Sequence, residues 1–209
     1  MQKLRLGVLG SGKGSNFRAI YEAIGVGRLD VEVAVVISDV VGAGILKLAE
    51  EAGLPTAILD EPRYKTRLSL EVEEHLVSVL QTAEVDLVVL AGYLRMIKEP
   101  LLKAFPRRII NIHPSLLPKF PGLEAWKQAL EAGEKTAGCT VHYVDEGMDT
   151  GEIIVCAEVS VHPGDTAESL HARIQEAEHR LYPEAIATLT TPQSPIRNPQ
   201  SYWLAFAFL

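Results

Sequence analysis

Residues 4–24 read LRLGVL-GSGKGSN-FRAIYEAI, which predicts a strand, a glycine-rich turn and a helix in direct succession. The apolar run Leu4–Leu9 favours a buried first strand, and a helical pattern begins at Phe17. In such a unit, the backbone N–H groups of the turn and the N-terminus of the helix can surround a phosphate. The stretch therefore predicts an α/β fold that begins with a phosphate-binding loop.

The glycine-rich turn differs at single positions from two well-known nucleotide loops. A Walker loop needs a hydroxyl after its lysine, but Gly14 follows Lys13, and the dinucleotide fingerprint needs a glycine where Ser15 stands. Asp39 ends the predicted second strand and could still take the place of the acid that binds a ribose. A tight turn without a ligand also stays open, although three glycines followed by Ser15 and Asn16 exceed what a turn requires.

Strands and helices continue to alternate beyond this first unit. The run Val85–Leu90 (VDLVVL) is apolar enough to be a central parallel strand, and open α/β sheets bind ligands just beyond such strand ends. Only a loop separates the predicted strands 139–144 and 152–161, so they should form an antiparallel hairpin, followed by a long helix to about Leu189. The order predicts a doubly wound, mostly parallel sheet flanked by helices. The other predicted elements are strands at 31–37 and 56–59 and helices at 44–52, 63–81, 101–105 and 125–132.

Residues 109–121, IINIHPSLLPKFP, carry the candidate chemistry. The apolar entry predicts a short buried strand that Pro114 ends, because proline has no N–H for the ladder. Alternate strand residues share a face, so Asn111 and His113 should point the same way. An amide donor beside an acid/base group suits acyl transfer, in which an oxyanion develops while protons move. The alternative is a capping asparagine and a surface histidine at a strand end.

Composition and charge limit the class of protein. The chain has 209 residues and a formal net charge of -7, which disfavours a nucleic-acid partner. Its apolar runs are too short to span a membrane, and Lys3 and Arg5 interrupt the N-terminal apolar run where a signal peptide would need a continuous one. We therefore expect a cytoplasmic protein with one main domain.

The remaining chemistry-bearing residues predict structural roles. Cys139 and Cys156 are interpreted as two reduced core thiols, and His142 as a packed strand residue rather than a ligand. The histidines show no zinc-type spacing, so we predict no metal. The tail, residues 191–209, ends in YWLAFAFL, which should dock on its own domain or on another subunit. We therefore expect a monomer or a homodimer.

Taken together, the motifs resemble those of glycinamide ribonucleotide formyltransferase, a folate-dependent family of purine (IMP) synthesis. The matching segments are GSGKGSN at 10–16, AGYLRMI at 91–97, NIHPSLLPKFPG at 111–122, TVHYVDEGMDTG at 140–151 and Gln175–Glu178. The resemblance implies a Rossmann-like fold for residues 1–190 as one domain, with a ribonucleotide-binding N-terminal half and a folate-binding C-terminal part. It also implies formyl transfer from 10-formyltetrahydrofolate, as cosubstrate, to the amine of glycinamide ribonucleotide.

The resemblance further implies roles for individual residues. Asn111, His113 and Asp149 match the family's catalytic residues. The matches to the family's ribonucleotide contacts are Gly14, Ser15, Asn16 and Glu178. The matches to its folate contacts are Arg67, Leu94, Arg95, Met96, Ile97, Asn111, Asp145, Glu146, Gly147, Met148 and Asp149. The chain departs from common members at Glu152, where proline or a small residue often stands.

The implied mechanism is direct attack of the amine on the formyl carbon through a tetrahedral intermediate. Asn111 would donate to the oxyanion, and Asp149 would keep His113 partly protonated. Three alternatives remain. A formyltetrahydrofolate hydrolase would normally carry an N-terminal regulatory domain, and a methionyl-tRNA formyltransferase would carry a further C-terminal domain. A non-catalytic nucleotide-binding module would rest on the glycine-rich loop and Asp39.

Overall fold

Strands and helices alternate along most of the chain in a computed structural model that describes residues 3–61 and 63–190. The strands are β1 (Leu4–Leu9), β2 (Val31–Ser38), β3 (Thr56–Ile58), β4 (Leu87–Leu90), β5 (Ile109–His113), β6 (Thr136–Tyr143) and β7 (Ile153–Ser160). The helices are α1 (Ser15–Gly25), α2 (Gly44–Glu51), α3 (Leu70–Thr82), α4 (Glu99–Ala104), α5 (Ala125–Glu131) and α6 (Ala167–Leu189). Most predicted boundaries agree with these to within about three residues, which is the usual scatter for helix and strand ends.

The strands form one seven-stranded sheet in the order β3-β2-β1-β4-β5-β6-β7. Strands β1 to β5 pair in parallel, whereas β6 pairs antiparallel with both β5 and β7. The predicted mostly parallel sheet, the C-terminal hairpin and the long last helix are all confirmed. Strand β4 occupies the predicted central position, and its four residues are buried.

Two apolar cores cover the two faces of the sheet. Alternation along β4 divides its side chains between them: Leu87 and Val89 pack with α1, α2 and α6, whereas Val88 and Leu90 pack with α3 and α4. The last helix is also tied to the sheet by a polar contact. The buried Tyr182 hydroxyl lies 3.0 Å from the Leu90 carbonyl oxygen and 3.2 Å from that of Ile110. This contact fixes α6 against the end of β4 and the beginning of β5.

Helix α3 begins seven residues later than predicted. The Ser69 hydroxyl caps the helix by accepting from the Val72 N–H, and the buried Glu61 carboxylate accepts from the Ser69 N–H at 2.6 Å. The backbone N–H groups just before the helix therefore bond to side chains instead of to a preceding helical turn. As a result, Arg67 does not lie near the start of the helix as predicted; it lies in an irregular segment and forms an isolated parallel bridge with Met96.

The two cysteines differ from the prediction in one respect. Cys139 is buried, and burial raises the pKa of its thiol to about 12, but Cys156 is exposed rather than in the core. In the β6–β7 ladder, Cys139 pairs with Ala157 and Thr140 pairs with Cys156. Since side chains alternate between faces, the two thiols point to opposite sides of the sheet and do not form a disulfide.

Membrane-spanning helices and groups of metal-binding side chains are absent from the described residues. None of the described helices is long and apolar enough to cross a membrane. The described ranges also contain no cluster of three or more His, Cys, Asp or Glu side chains that could hold a metal ion. The apolar tail 191–209 and its predicted docking lie outside the described residues.

Candidate active site

A cavity of about 690 Å³ opens at the carboxyl ends of the parallel strands. It lies where strand order reverses, because β1 is followed along the sheet by β2 on one side and by β4 on the other. This switch point is where open α/β sheets bind ligands. The loops after β1 and β4 approach closely there: a Cβ on Gly10 would lie 2.8 Å from the Ala91 carbonyl oxygen. The glycine therefore permits the two cavity walls to meet.

The glycine-rich loop forms one end of the cavity. Gly14 is the N-cap of α1 and has φ +80°, and a Cβ there would lie 2.8 Å from the Cα of Ile45. Any side chain at this position would strain the backbone and collide with α2. Gly14, Ser15 and Asn16 all line the cavity, as the phosphate-loop prediction requires. The free N–H groups of the first helical turn suit an anion at this end.

A buried acid lies beside this loop. Glu178 of α6 accepts a hydrogen bond of 2.9 Å from the Asn16 side-chain amide, across 162 residues of sequence. Glu178 is 5% exposed, and burial raises the pKa of its carboxyl to about 7 although the bond from Asn16 opposes the shift. The Asn16 side-chain oxygen is buried and has no partner among the described residues. Both side chains line the cavity and can bind a polar ligand.

The raised pKa of Glu178 predicts a pH-dependent stability. The native state holds this proton more tightly than the unfolded chain does, so stability should fall as the pH rises from about 4.5 to about 7. Glu178→Gln should reduce the difference in unfolding free energy between pH 5 and pH 8 by on the order of 2–3 kcal/mol. Urea unfolding at both pH values measures this. Glu184→Gln, at an exposed position of the same helix, is the control; equal pH differences in all three proteins would contradict the prediction.

Four polar side chains meet at the middle of the cavity. Asn111 and His113 project from β5, His142 projects from β6, and Asp149 lies in the loop that follows β6. The antiparallel register pairs Asn111 with His142, which brings their side chains together. The prediction that Asn111 and His113 share a face is in keeping with this, because both line the same cavity.

His113 is buried and held at both ring nitrogens. Its Nε2 lies 2.9 Å from the Phe120 carbonyl oxygen, and its Nδ1 lies 3.4 Å from Asp149 Oδ2. A carbonyl oxygen can only accept, so Nε2 carries a hydrogen and donates it. Protonation and deprotonation of His113 therefore occur at Nδ1, the nitrogen that faces Asp149.

The pKa of His113 differs from the sequence-based expectation. Burial is the largest influence and lowers the pKa, and the Asp149 charge and the Phe120 carbonyl oppose that shift without reversing it. The expectation that Asp149 keeps His113 partly protonated is therefore wrong: the charge acts in the expected direction, but burial outweighs it. The ring is predominantly neutral near pH 7, with its Nδ1 lone pair ready to accept a proton.

Asp149 is oriented by its backbone and by a loop amide. It has φ +54°, which is uncommon for a non-glycine residue, and its Oδ2 accepts from the Gly122 N–H at 2.9 Å. Burial alone would raise the pKa of this carboxyl. The contacts with His142, the Gly122 N–H and His113 outweigh burial and hold the pKa below its usual value. Asp149 is therefore ionised beside the two imidazoles.

His142 orients the amide of Asn111. Its Nδ1 lies 2.8 Å from the Tyr143 carbonyl oxygen and donates to it. Its Nε2 faces the cavity side of the cluster and lies 3.6 Å from Asp149 Oδ1. The Asn111 Nδ2 lies 3.2 Å from this Nε2, and in the tautomer with its hydrogen on Nδ1 the ring accepts one of the two amide hydrogens. This contact with His142 orients the Asn111 amide, and the second N–H of Asn111 Nδ2 remains for another acceptor. The site thus combines a fixed donor, a neutral base and a carboxylate, which suits acyl transfer.

Comparison with known proteins agrees with this geometry. The formyl transferase family matches residues 4–186. The chain belongs to the formyl transferase family. This confirms the resemblance identified from the motifs.

Three relatives illustrate the similarity of this formyl transferase to known proteins. It is 42% identical to a phosphoribosylglycinamide formyltransferase of Bacillus subtilis (strain 168), over 88% of this chain and 94% of that protein. It is 48% identical to the trifunctional purine biosynthetic protein adenosine-3 of Drosophila pseudoobscura pseudoobscura, over 90% of this chain but only 14% of that protein. The crystal structure of glycinamide ribonucleotide transformylase 1 from Symbiobacterium toebii has a TM-score of 0.84 and 52% identity, covering 88% of this chain and 86% of that one.

Most residues predicted to contact folate line the cavity of this formyl transferase. They are Leu94, Arg95, Met96, Ile97, Asn111, Asp145, Gly147, Met148 and Asp149. Arg67 and Glu146 do not line it, although Thr66 does. The exposed Leu94 and Met148, together with Leu123, supply apolar surface among the lining residues. This surface suits a flat, partly aromatic ligand.

Asp39, on which the nucleotide-binding alternative depended, and Glu152, where the chain departs from the family pattern, lie outside the cavity and bond to other protein residues. The Asp39 carboxylate is 5% exposed and bonds to Arg95 Nε and the Ser11 hydroxyl, both at 2.6 Å. It does not line the cavity, so it is not placed to bind a ribose and the dinucleotide alternative loses its acid. Glu152 pairs with Arg107 at 2.7 Å outside the cavity, and its carbonyl accepts from the Tyr143 N–H. The departure at Glu152 therefore lies at the base of the loop, away from the cluster.

Sequence analysis missed part of this formyl transferase site. His142 is a packed strand residue as predicted, but its imidazole also faces the cavity and contacts Asn111. The pairing of β6 with β5 could have indicated this only if the register had been known. Trp126 and His171 were also missed; they line the cavity and stack in parallel with ring centroids 3.7 Å apart. They lie on different helices, so no local pattern joins them.

Proposed function

We propose that this chain transfers a formyl group from 10-formyltetrahydrofolate to the amine of glycinamide ribonucleotide. The observation that supports this best is the cluster of Asn111, His113, His142 and Asp149, which shares one cavity with a glycine-rich helix N-terminus and with exposed apolar side chains. The 42% identity to a phosphoribosylglycinamide formyltransferase over 94% of its length supports the choice of substrates.

In the proposed reaction, the amine attacks the formyl carbon and an oxyanion develops. The N–H of Asn111 that His142 leaves free donates to this oxyanion. The attacking amine then loses a proton to Nδ1 of His113, whose other nitrogen donates to the Phe120 carbonyl. Asp149 stabilises the imidazolium that forms. His113 returns the proton to the departing folate nitrogen as the C–N bond breaks, so no covalent enzyme intermediate is needed.

The two substrates would occupy different ends of the cavity. The ribonucleotide phosphate would lie at Gly14, Ser15 and Asn16, with Glu178 accepting from a hydroxyl of the sugar. The folate would contact the segments 94–97 and 145–149, with Arg67 at the periphery. Residues 1–190 would act as one domain, with the ribonucleotide half first. Holding both substrates as neighbours supplies much of the rate enhancement.

Further proposals concern the setting of the reaction. The protein would work in the cytoplasm on these small molecules, as a monomer or homodimer and without metal ion, nucleic acid or membrane. The negative net charge supports the exclusion of a nucleic-acid partner.

A single assay separates transfer from hydrolysis. Consumption of 10-formyltetrahydrofolate is followed spectrophotometrically with and without glycinamide ribonucleotide, and free formate is quantified. The proposal expects consumption only with the ribonucleotide and no formate. Formate release without the ribonucleotide would identify a hydrolase, and no consumption by folded protein would favour a binding module.

A further inference from the structure

The backbone just before helix α5, segment 120–124, adopts an uncommon conformation. Phe120, Gly122 and Glu124 all lie in the left-handed region, with φ values of +55°, +84° and +53°. Two of these three residues are not glycines, and a side chain crowds the backbone in this region, so the segment is strained. Strain of this kind persists only where surrounding contacts hold the backbone, and it is common at functional sites.

Through its backbone, this segment bonds to two members of the polar cluster. The Phe120 carbonyl accepts from His113 Nε2, and the Gly122 N–H donates to Asp149 Oδ2, both at 2.9 Å. A Cβ on Gly122 would lie 3.2 Å from the Met148 Sδ, so the segment passes close against the loop that carries Asp149. The position of Gly122 therefore determines where one oxygen of Asp149 is held.

One side chain bonds to the backbone on both sides of Gly122. The Gln128 Nε2 lies 2.9 Å from the Leu123 carbonyl oxygen and 3.5 Å from the Pro121 carbonyl oxygen. Carbonyl oxygens only accept, so the amide nitrogen of Gln128 faces them and can donate one hydrogen to each. Gln128 itself does not line the cavity. It thus bridges the residues before and after the one that bonds to Asp149.

Gln128 reaches the segment from a helix that is firmly packed. Ala125 and Ala129 of α5 are buried in or beside the first core. The Trp126 ring stacks in parallel on His171 of α6, with ring centroids 3.7 Å apart. The bonds from Gln128 therefore tie the strained segment to a fixed support.

We infer that Gln128 is a positioning residue for Asp149, acting through the backbone of Gly122. By holding the two flanking carbonyls, it keeps the left-handed segment in place and the Gly122 N–H aimed at the carboxylate. The inference rests on the proposed function, in which Asp149 stabilises the imidazolium of His113. Because Gln128 lies outside the cavity, its loss should slow the chemical step without weakening the binding of either substrate.

Methionine and glutamate are the informative replacements. Gln128→Met preserves the length and helix propensity of the side chain but removes its donors. Gln128→Glu places a carboxylate, which can only accept, against carbonyl oxygens and should be the more damaging change. Gln81→Met is the matched control, because Gln81 is exposed on α3 and lies outside the cavity.

The first measurement needs no turnover. Hydrogen exchange is followed at the Gly122 amide and, as a reference, at the Val144 amide, which donates to the Ile109 carbonyl. Gln128→Met should accelerate exchange at Gly122 about threefold to tenfold, the effect of losing about one net hydrogen bond, and leave Val144 unchanged. The control should change neither amide.

Two exchange results would overturn the inference. One is an unchanged rate at Gly122 in Gln128→Met, and the other is equal acceleration at Gly122 and Val144, which would report general loosening. Gln128 is half-buried, so the variant should fold. If it does not, Gln128→Ala is measured under the same criterion.

The second measurement separates kcat from KM. Gln128→Met should lower kcat about threefold to tenfold and leave KM for both substrates within twofold, and Gln128→Glu should lower kcat at least as much. In an Asp149→Ala background, Gln128→Met should lower kcat less than twofold further, because it acts through Asp149. Multiplying effects in the double variant, or a change in KM alone, would contradict the positioning role.

These results are distinguishable from a failure of the proposed function. A wild-type protein that transfers no formyl group would overturn the proposed function. In that case, the exchange rates of Gly122 and Val144 in the same variants decide by themselves whether Gln128 holds the contact to Asp149.

Discussion

Replacing His113 by alanine is expected to lower kcat for formyl transfer by about 10²- to 10⁴-fold, the usual contribution of a positioned acid/base group. In the proposed reaction the ring carries the proton at Nδ1, and the Phe120 carbonyl bonded to its other nitrogen cannot take over that role. Steady-state kinetics at saturating substrates measures the effect. KM for the ribonucleotide should change little, because His113 contacts Phe120 and Asp149 and not the glycine-rich loop or Glu178.

Two controls separate chemistry from folding in this variant. His162→Ala removes a histidine outside the cavity and should leave kcat unchanged. With saturating ribonucleotide, kcat of the wild type should fall on the acid side at a pH below the usual histidine pKa, because burial lowers the pKa of His113 and its neutral form is the active one. That acid limb should be absent from the residual activity of His113→Ala. Near wild-type turnover by the alanine variant would remove His113 from the mechanism.

Replacing Asn111 by alanine should lower kcat by about 10²- to 10³-fold, the cost of losing one oxyanion donor. The donor matters because His142 fixes the amide, so its second N–H is already aimed when the oxyanion forms. Single-turnover measurements are suitable, since they report the chemical step rather than product release. Asn111 is only half-buried, so the variant should fold.

The chemistry of the replacement provides an internal control. Asn111→Asp preserves the size of the side chain but places a carboxylate, which can only accept, where negative charge develops. It should be at least as slow as Asn111→Ala. If the aspartate variant were instead close to wild type, a hydrogen bond from residue 111 would not be what stabilises the transition state.

The order of apolar and polar residues was enough to predict the strands and the faces of their side chains. The bounds of β1 were predicted without error, and β4 was placed at the centre of the sheet, because buried parallel strands are continuous apolar runs. The face shared by Asn111 and His113 followed from strand alternation. The predicted start of α3 was wrong because tertiary contacts determine where the helix begins. The Glu61 carboxylate accepts from the Arg63 and Ser69 N–H groups, which a longer helix would have bonded internally.

The parts that could not be predicted depend on contacts between distant segments. His142 meets Asn111 only through the antiparallel register of β6, and Arg95 bonds to the carbonyl oxygens of Tyr64 and Arg67, 31 and 28 residues earlier, through the tertiary fold. The pKa of His113 required burial to be known, because burial and the Asp149 charge act in opposite directions. A sequence shows which charges exist but not how much solvent surrounds them.

The docking of α6 has a consequence for how the protein becomes active during synthesis. The contact between Asn16 and Glu178 joins residues 162 apart, and Tyr182 bonds to carbonyls 92 and 72 residues earlier. Contacts of such long range form late, because the intervening chain must first be made and closed into a loop. A nascent chain that ends before residue 167 has the glycine-rich loop but lacks Glu178 and the part of the apolar core that α6 supplies. The end of the cavity that is proposed to bind the ribonucleotide is therefore completed only by α6, and a chain too short to contain α6 cannot bind a ligand there in the native way.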